Sequence, residues 1–199
     1  MYSHNVLFIG DDSVWSQLAV NYLKENNFNI IAVLWNYDTD DSQAKAIIEQ
    51  WKGDWILSFK SDFILPYSVI DRAQKGAINF HPAPVKYRGI GGYHYAIENK
   101  DTYFGVTCHY IDNKIDHGKI IKTIKFDIVS GETPDSLMKR TAAYALSLFY
   151  EITAIIKNGQ KIPNTNIKWS NKLYTRSQLC DYLRHHEKNK FAKGNCYVS

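Results

Sequence analysis

Short apolar runs alternate with amphipathic stretches along the first part of this chain, and that alternation limits the fold more than any other feature. Residues 6–9, 30–34, 55–59 and 77–80 each have the length and apolar continuity of a strand covered on both faces. Residues 14–24 carry apolar side chains at Val14, Leu18 and Tyr22, with Ser13 placed to cap a helix, and residues 42–51 read as a second helix. Pro66 suits the first turn of a third helix that stops near Lys75 and Gly76. Strands alternating with helices predict an α/β fold with a mostly parallel central sheet and flanking helices.

Taking residues 77–80 as the fourth strand puts Asn79 and His81 at its carboxyl end, where open sheets of this kind take ligands. Extended backbone sends both side chains from one face, because they are two positions apart. Further along, residues 93–99 read as a helix, 104–111 and 119–128 as strands, and 133–157 as a long helix capped by Thr133. Asp116 falls between the last two strands, on a loop able to return to the edge that carries His81. An amide, an imidazole and a carboxylate are the groups needed to polarise a carbonyl and handle a proton in acyl transfer.

A chain of 199 residues can bury a sizeable core as one domain without disulfides or metals. The cysteines, Cys108, Cys180 and Cys196, show neither a disulfide framework nor metal-ligand spacing, which points to a reducing compartment. Residues 6–9 are too short a run for a membrane span and lack a basic start, so a soluble, cytoplasmic protein is expected. The net charge of +4 is modest, and its local excess, Arg184, His185, His186, Lys188, Lys190 and Lys193, reads as a solvated tail and not as a nucleic-acid surface.

Past residue 158 the pattern changes. Residues 167–169 and 172–175 suggest a hairpin turning at Ser170 and Asn171, followed by a helix over 176–186. Residues 1–158 are thus expected to form the core, and 159–199 a small hairpin and helix appendage. Trp169 and Tyr174 give that hairpin an apolar face expected to pair two subunits as a homodimer.

Asn79-Phe80-His81-Pro82 continues as Ala83-Pro84-Val85-Lys86-Tyr87-Arg88-Gly89, and later Tyr103-Phe104-Gly105-Val106-Thr107-Cys108-His109-Tyr110 leads into Ile115-Asp116-His117-Gly118. In this order the blocks resemble the folate-dependent formyltransferases, whose signature is Asn-x-His, a Pro-containing loop, a Tyr-Arg-Gly or similar step, and a distal Asp. The resemblance implies a Rossmann-like formyltransferase fold, with N10-formyltetrahydrofolate as co-substrate and no metal. It also implies catalytic roles for three residues: Asn79 and His81 at the oxyanion of a tetrahedral intermediate, and Asp116 orienting His81 and helping to move the amine proton. Which of His81 and Asp116 takes that proton first is left open. The carrier's pteridine is expected against Phe63, Ile64 and Leu65 and the loop with Asp112 and Ile115. His109 and His117 read as ordinary structural histidines.

Members of that family that make purines open with a Gly- and Ser-rich phosphate loop, where this chain has Gly10-Asp11-Asp12-Ser13, whose carboxylates repel phosphate. Initiator-tRNA formyltransferases add a C-terminal domain and formyl-tetrahydrofolate hydrolases an N-terminal one, and neither is expected here. The chain is most similar to bacterial sugar N-formyltransferases. This implies a nucleotide-linked amino sugar as acceptor, dTDP-4-amino-4,6-dideoxyglucose or its 3-amino isomer, for O-antigen synthesis, with Tyr87, Arg88 and His94 contacting the sugar or its diphosphate. Another small amine as acceptor, or an inactive folate or sugar-nucleotide binding protein, are the alternatives.

Overall fold

The structure, a computed structural model, describes residues 3–35 and 42–186. Its elements in chain order are β1 (Asn5–Gly10), α1 (Val14–Glu25), β2 (Asn29–Leu34), α2 (Ser42–Gln50), β3 (Gly53–Phe59), α3 (Tyr67–Ile70) and β4 (Ala73–His81). They continue as β5 (Arg88–Gly89), α4 (Gly92–Glu98), β6 (Tyr103–Tyr110), β7 (Ile120–Asp127), α5 (Pro134–Lys157), β8 (Leu173–Tyr174) and α6 (Arg176–His186). The main sheet has the order β2-β1-β3-β4-β6-β7. Its first four strands are parallel, β6 runs antiparallel to β4, and β7 antiparallel to β6.

Period-two alternation divides the strand residues between two faces. Val6, Phe8, Leu57, Phe59, Ile78 and Phe80 pack beneath α1 and α5, whereas Leu7, Ile9, Ile56 and Ala77 pack beneath α2 and α3. β3 is buried along its whole length, as a central strand covered on both sides must be. A third cluster of Ala83, Tyr87, Ala96, Phe104, Phe126, Leu137 and Tyr174 lies under α4 and the short β5-β8 pair. The long helix α5 starts where the sequence indicates: Ser136 N–H donates to Thr133 Oγ1, Thr133 N–H donates back to Ser136 Oγ, and Pro134 follows the cap.

Three local expectations in the first half of the chain fail. Helix α1 buries Ser16, Ala19, Val20 and Leu23, while Val14 and Leu18 face solvent. The small Ser16 and Ala19 let α1 approach the sheet at Gly10, where a Cβ would stand 2.7 Å from Ser16 Oγ. Ser13 occupies the N-cap position but makes no capping bond, because its hydroxyl donates to Asp11. Helix α3 ends at Ile70, since Ala73 and Gly76 pair with Gly53 and Trp55 and so belong to β4.

The expected C-terminal hairpin is not formed. Only Leu173 and Tyr174 are strand, and they pair in parallel with Arg88 and Gly89. Tyr174 is buried against Tyr87 and Tyr95, and Trp169 is half-buried, so the apolar surface expected to join two subunits is covered by this chain itself. Helix α6 matches the expected span. Lys188, Lys190, Lys193 and Cys196 lie outside the described residues. No helix among the described residues is long and apolar enough to cross a membrane, and no group of His, Cys, Asp and Glu among them could hold a metal ion.

Candidate functional site

The carboxyl end of β4 holds the candidate site. Antiparallel pairing sets Asn79 opposite His109 and His81 opposite Thr107. The loop between β6 and β7 then returns Asp116 to the same edge, with a left-handed backbone at φ 42°. Three backbone carbonyls hold that loop through one side chain: Arg88 Nε donates to Asp116 O (2.7 Å), Nη2 to Ile115 O (2.8 Å) and Nη1 to Ser170 O (3.2 Å). The planar guanidinium presents its donors in a fixed fork, which suits this latch.

Two imidazoles flank the Asp116 carboxylate, and all three groups are buried. His81 Nε2–H donates to Tyr87 O at 2.8 Å, so Nδ1 is the nitrogen left facing Asp116 Oδ2, 3.4 Å away. His109 Nδ1–H donates to Tyr110 O at 2.8 Å and turns Nε2 toward Asp116 Oδ1 at 3.3 Å. Asn79 Nδ2 donates to the same Oδ1 at 3.3 Å and lies 3.1 Å from His109 Nε2, while Gly89 N–H donates to Oδ2 at 2.7 Å. Backbone carbonyls thus choose the free nitrogen of each ring. Burial pushes the Asp116 carboxyl up, but the charge of His81, the hydrogen bond and charge of His109 and the Gly89 N–H outweigh it and hold it at about 2.

Trp169 covers this group. Its ring stands edge-on to His109 at 4.9 Å and to His81 at 5.9 Å between centroids, and Nε1–H donates to Gly118 O at 2.8 Å. Gly89 has φ 86°, and a Cβ there would lie 2.1 Å from Tyr174 O, so only glycine lets β5 meet β8 and aim its N–H at Asp116.

The structure therefore brings Asn79, His81 and Asp116 together, and it adds His109, which sequence reading left as structural. The signal for His109 is its place opposite Asn79, and that needs the β4-β6 register. The expected substrate contacts fare differently. Tyr87 is buried, with its hydroxyl donating to Asp101 Oδ2 at 2.6 Å and accepting from Asn99 Nδ2 at 3.1 Å, so its side chain belongs to the core and its carbonyl to the site. Arg88 latches the Asp116 loop through its three bonds to backbone carbonyls. His94 sits on α4 with its ring against Tyr182 of α6.

Of the expected carrier wall, Phe63 and Leu65 pack with Ile111 on the α2-α3 side of the sheet, Phe63 lying edge-on to Trp35 at 4.6 Å. Ile64 and Ile115 are exposed and free to cover a flat ligand. Asp112 accepts from Lys114 N–H (2.9 Å) and contacts His117 Nδ1 (2.7 Å), which shapes the start of the Asp116 loop.

An amide, two tautomer-fixed imidazoles and a buried carboxylate thus meet on the carboxyl edge of a mostly parallel sheet. The family model described as formyl transferase matches residues 16–153, and the chain belongs to that family. A methionyl-tRNA formyltransferase of Methylacidiphilum infernorum is 28% identical over 159 residues, covering 76% of this chain and 50% of that protein. The chain thus spans about half the length of the curated relatives it matches. Among solved structures, the N-formyltransferase of Helicobacter canadensis in complex with folinic acid and dTDP-3-aminofucose aligns with TM-score 0.67 at 22% identity, covering 87% of this chain and 71% of that one. The formyltransferase PseJ of Anoxybacillus kamchatkensis, in complex with UDP-4,6-dideoxy-4-formamido-L-AltNAc and tetrahydrofolate, aligns with TM-score 0.68 at 22% identity, covering 90% and 89%. At these identities the likeness is one of fold.

Proposed function

We propose that this chain moves the formyl group of N10-formyltetrahydrofolate to the amine of a nucleotide-linked amino sugar. The observation that carries the reading is the Asp116 carboxylate set between two imidazoles beside the Asn79 amide, in a member of the formyl transferase family. In the proposed reaction the acceptor amine attacks the formyl carbon, its C–N bond forms, and the carbonyl oxygen takes the negative charge. Asn79 Nδ2, turning one N–H from its long bond to Asp116 Oδ1, donates to that oxyanion and stabilises it. With His81 Nε2–H held by Tyr87 O, proton exchange falls to Nδ1, and the His81–Asp116 couple accepts the proton lost by the amine. Collapse breaks the bond to N10, which is reprotonated as tetrahydrofolate leaves. Trp169 shields this centre from water.

The sugar acceptor is favoured because solved structures of this fold carry folates together with amino-sugar nucleotides and are covered over most of their length. We propose a dTDP-linked 4-amino-4,6-dideoxyglucose, with the 3-amino isomer as the variant, for cytoplasmic synthesis of O-antigen precursors; a homodimer would have to form through a surface other than Trp169 and Tyr174, which this chain covers. The names of the curated relatives support a second reading, formylation of a methionyl-tRNA. Mass spectrometry after incubation with N10-formyltetrahydrofolate and a panel of dTDP-, UDP- and GDP-linked amino sugars, with methionyl-tRNA in parallel, separates the two. A gain of one formyl group on a sugar is expected, and formylated tRNA with unchanged sugars would replace the reading.

A further inference from the structure

The proposed acyl-transfer centre leaves a half-buried charged cluster on the carboxyl edge unused. Gly10, Phe59 and Phe80 stand in one row across β1, β3 and β4, so Asp11, Lys60 and His81 are the first residues past that row on three neighbouring strands. With strands about 4.8 Å apart, Lys60 lies about one strand from His81 and Asp11 about two. Strand order reverses between β1 and β3, since β2 follows β1 on one side and β3 lies on the other. That reversal opens the crevice in which sheets of this kind take ligands.

In the crevice a carboxylate of the chain already sits on a set of donors. Asp11 Oδ1 accepts from Ser13 Oγ (2.5 Å), Ser16 Oγ (2.6 Å) and, more weakly, Ser13 N–H (3.4 Å), and Oδ2 accepts from Lys60 Nζ (2.6 Å). The Lys60 side chain is 10% exposed and that of Asp11 31%, so the ion pair is sunk at the lysine end and open at the carboxylate end. Burial pushes the Asp11 carboxyl up, but Lys60 and the two hydroxyls more than offset it and hold it below the ordinary range. Burial, together with the negative charge of Asp11, pushes the hydroxyl of Tyr93 on α4 above its usual range.

A sunken ammonium, two hydroxyls and the start of a helix of 12 residues are the donors a phosphate group would take. We propose that Asp11 is a built-in anion that fills this cradle and determines acceptor specificity: it keeps phosphate out and admits only an uncharged, hydroxyl-bearing part of the acceptor next to His81. The inference deepens the proposed function, on which the word acceptor rests. On this inference the sugar ring that carries the amine lies in the crevice and its diphosphate elsewhere. The remaining lone pair at the open edge of Asp11 Oδ2 is there to take a sugar hydroxyl.

The test is thermal unfolding of the full chain in inorganic phosphate against sodium chloride at equal ionic strength, for wild type, Asp11→Ala, Asp11→Asn and the double variant Asp11→Ala with Lys60→Met. Emptying the cradle should make the protein bind phosphate, so Asp11→Ala melts lower than wild type and phosphate raises its midpoint by about 3 °C or more, while wild type and the double variant stay level. Asp11→Asn keeps the shape of the side chain and serves if the alanine variant does not fold; it too should respond to phosphate. Stabilisation of wild type by phosphate through Lys60 would overturn the inference, as would variants that respond no more than wild type. None of these readouts needs turnover, so absence of formyl transfer would sink the proposed function and leave this result standing. Where transfer is measured, phosphate should raise the acceptor KM of Asp11→Asn and leave that of wild type unchanged; an equal rise in both would refute the specificity role.

Discussion

Asp116 and Asp11 are two carboxylates on one edge of one sheet, both held below the ordinary carboxyl range by neighbours of different chemistry. Asp116 is faced by two imidazoles, a side-chain amide and a backbone N–H. Asp11 is faced by an ammonium and two hydroxyls. Imidazole is the side chain whose charge changes most readily near neutral pH, whereas an ammonium keeps its proton. The first arrangement suits proton traffic and the second a fixed charge, so burial and a low carboxyl pKa do not by themselves tell the roles apart. The partner does.

The largest effect that could break this comparison is on turnover. His81→Ala and Asp116→Asn should each lower kcat by about 10²- to 10⁴-fold with circular dichroism unchanged, as for removal of a general acid or base. Asp11→Asn should act mainly on KM. Equal losses of kcat at Asp11 and Asp116 would erase the distinction drawn between them.

Stability against pH sharpens it. Asp116 is held at about 2, below its ordinary 3.8, so the unfolded chain takes up that proton first as the solution is acidified. Its contribution, about 2 kcal/mol, is complete above roughly pH 4 and is lost as pH falls toward 2. Urea titrations from pH 6 downward should show this loss in wild type, and Asp116→Asn should show it reduced. A variant whose stability falls as steeply as that of wild type would mean that other carboxyls govern the acid limb.

The smallest effect concerns Trp169, which bears on the Asp116 side alone. Trp169→Phe keeps a ring edge near both imidazoles but loses the bond to Gly118 O, at a cost of about 1 kcal/mol. A drop in kcat of less than about tenfold is expected, with Trp169→Ala lower and more of the carrier hydrolysed without transfer. Unchanged partition between transfer and hydrolysis in Trp169→Ala would show that the ring does not exclude water.

Legibility followed the range of the interaction. Apolar runs marked the strands, and the Thr133 cap and the span of helix α6 were readable because their causes lie within a few residues. The face of α1 was misread because two stripes of that helix are apolar, and only the close approach at Gly10 selects the one with small residues. Trp169 and Tyr174 looked like a hairpin with a free face. Their partners, Gly118 O and the histidines for one and β5 for the other, lie far back along the chain.

The same limit applies to the site. The blocks around Asn79, His81 and Asp116 could be read as one constellation, yet the jobs of Tyr87 and Arg88 could not, because a tyrosine or an arginine after a loop suits a core, a latch or a ligand equally. His109 became visible only when antiparallel pairing set it opposite Asn79.

By itself the sequence determined the α/β class, the family and the residue types available for acyl transfer, since these rest on local periodicity and short spacing. Tertiary structure decided which nitrogen of each histidine is free, which cation holds each carboxylate and what covers the centre. Those outcomes depend on which donors and acceptors meet across strands and loops once water is excluded, and a buried polar group is placed by the partners it finds there.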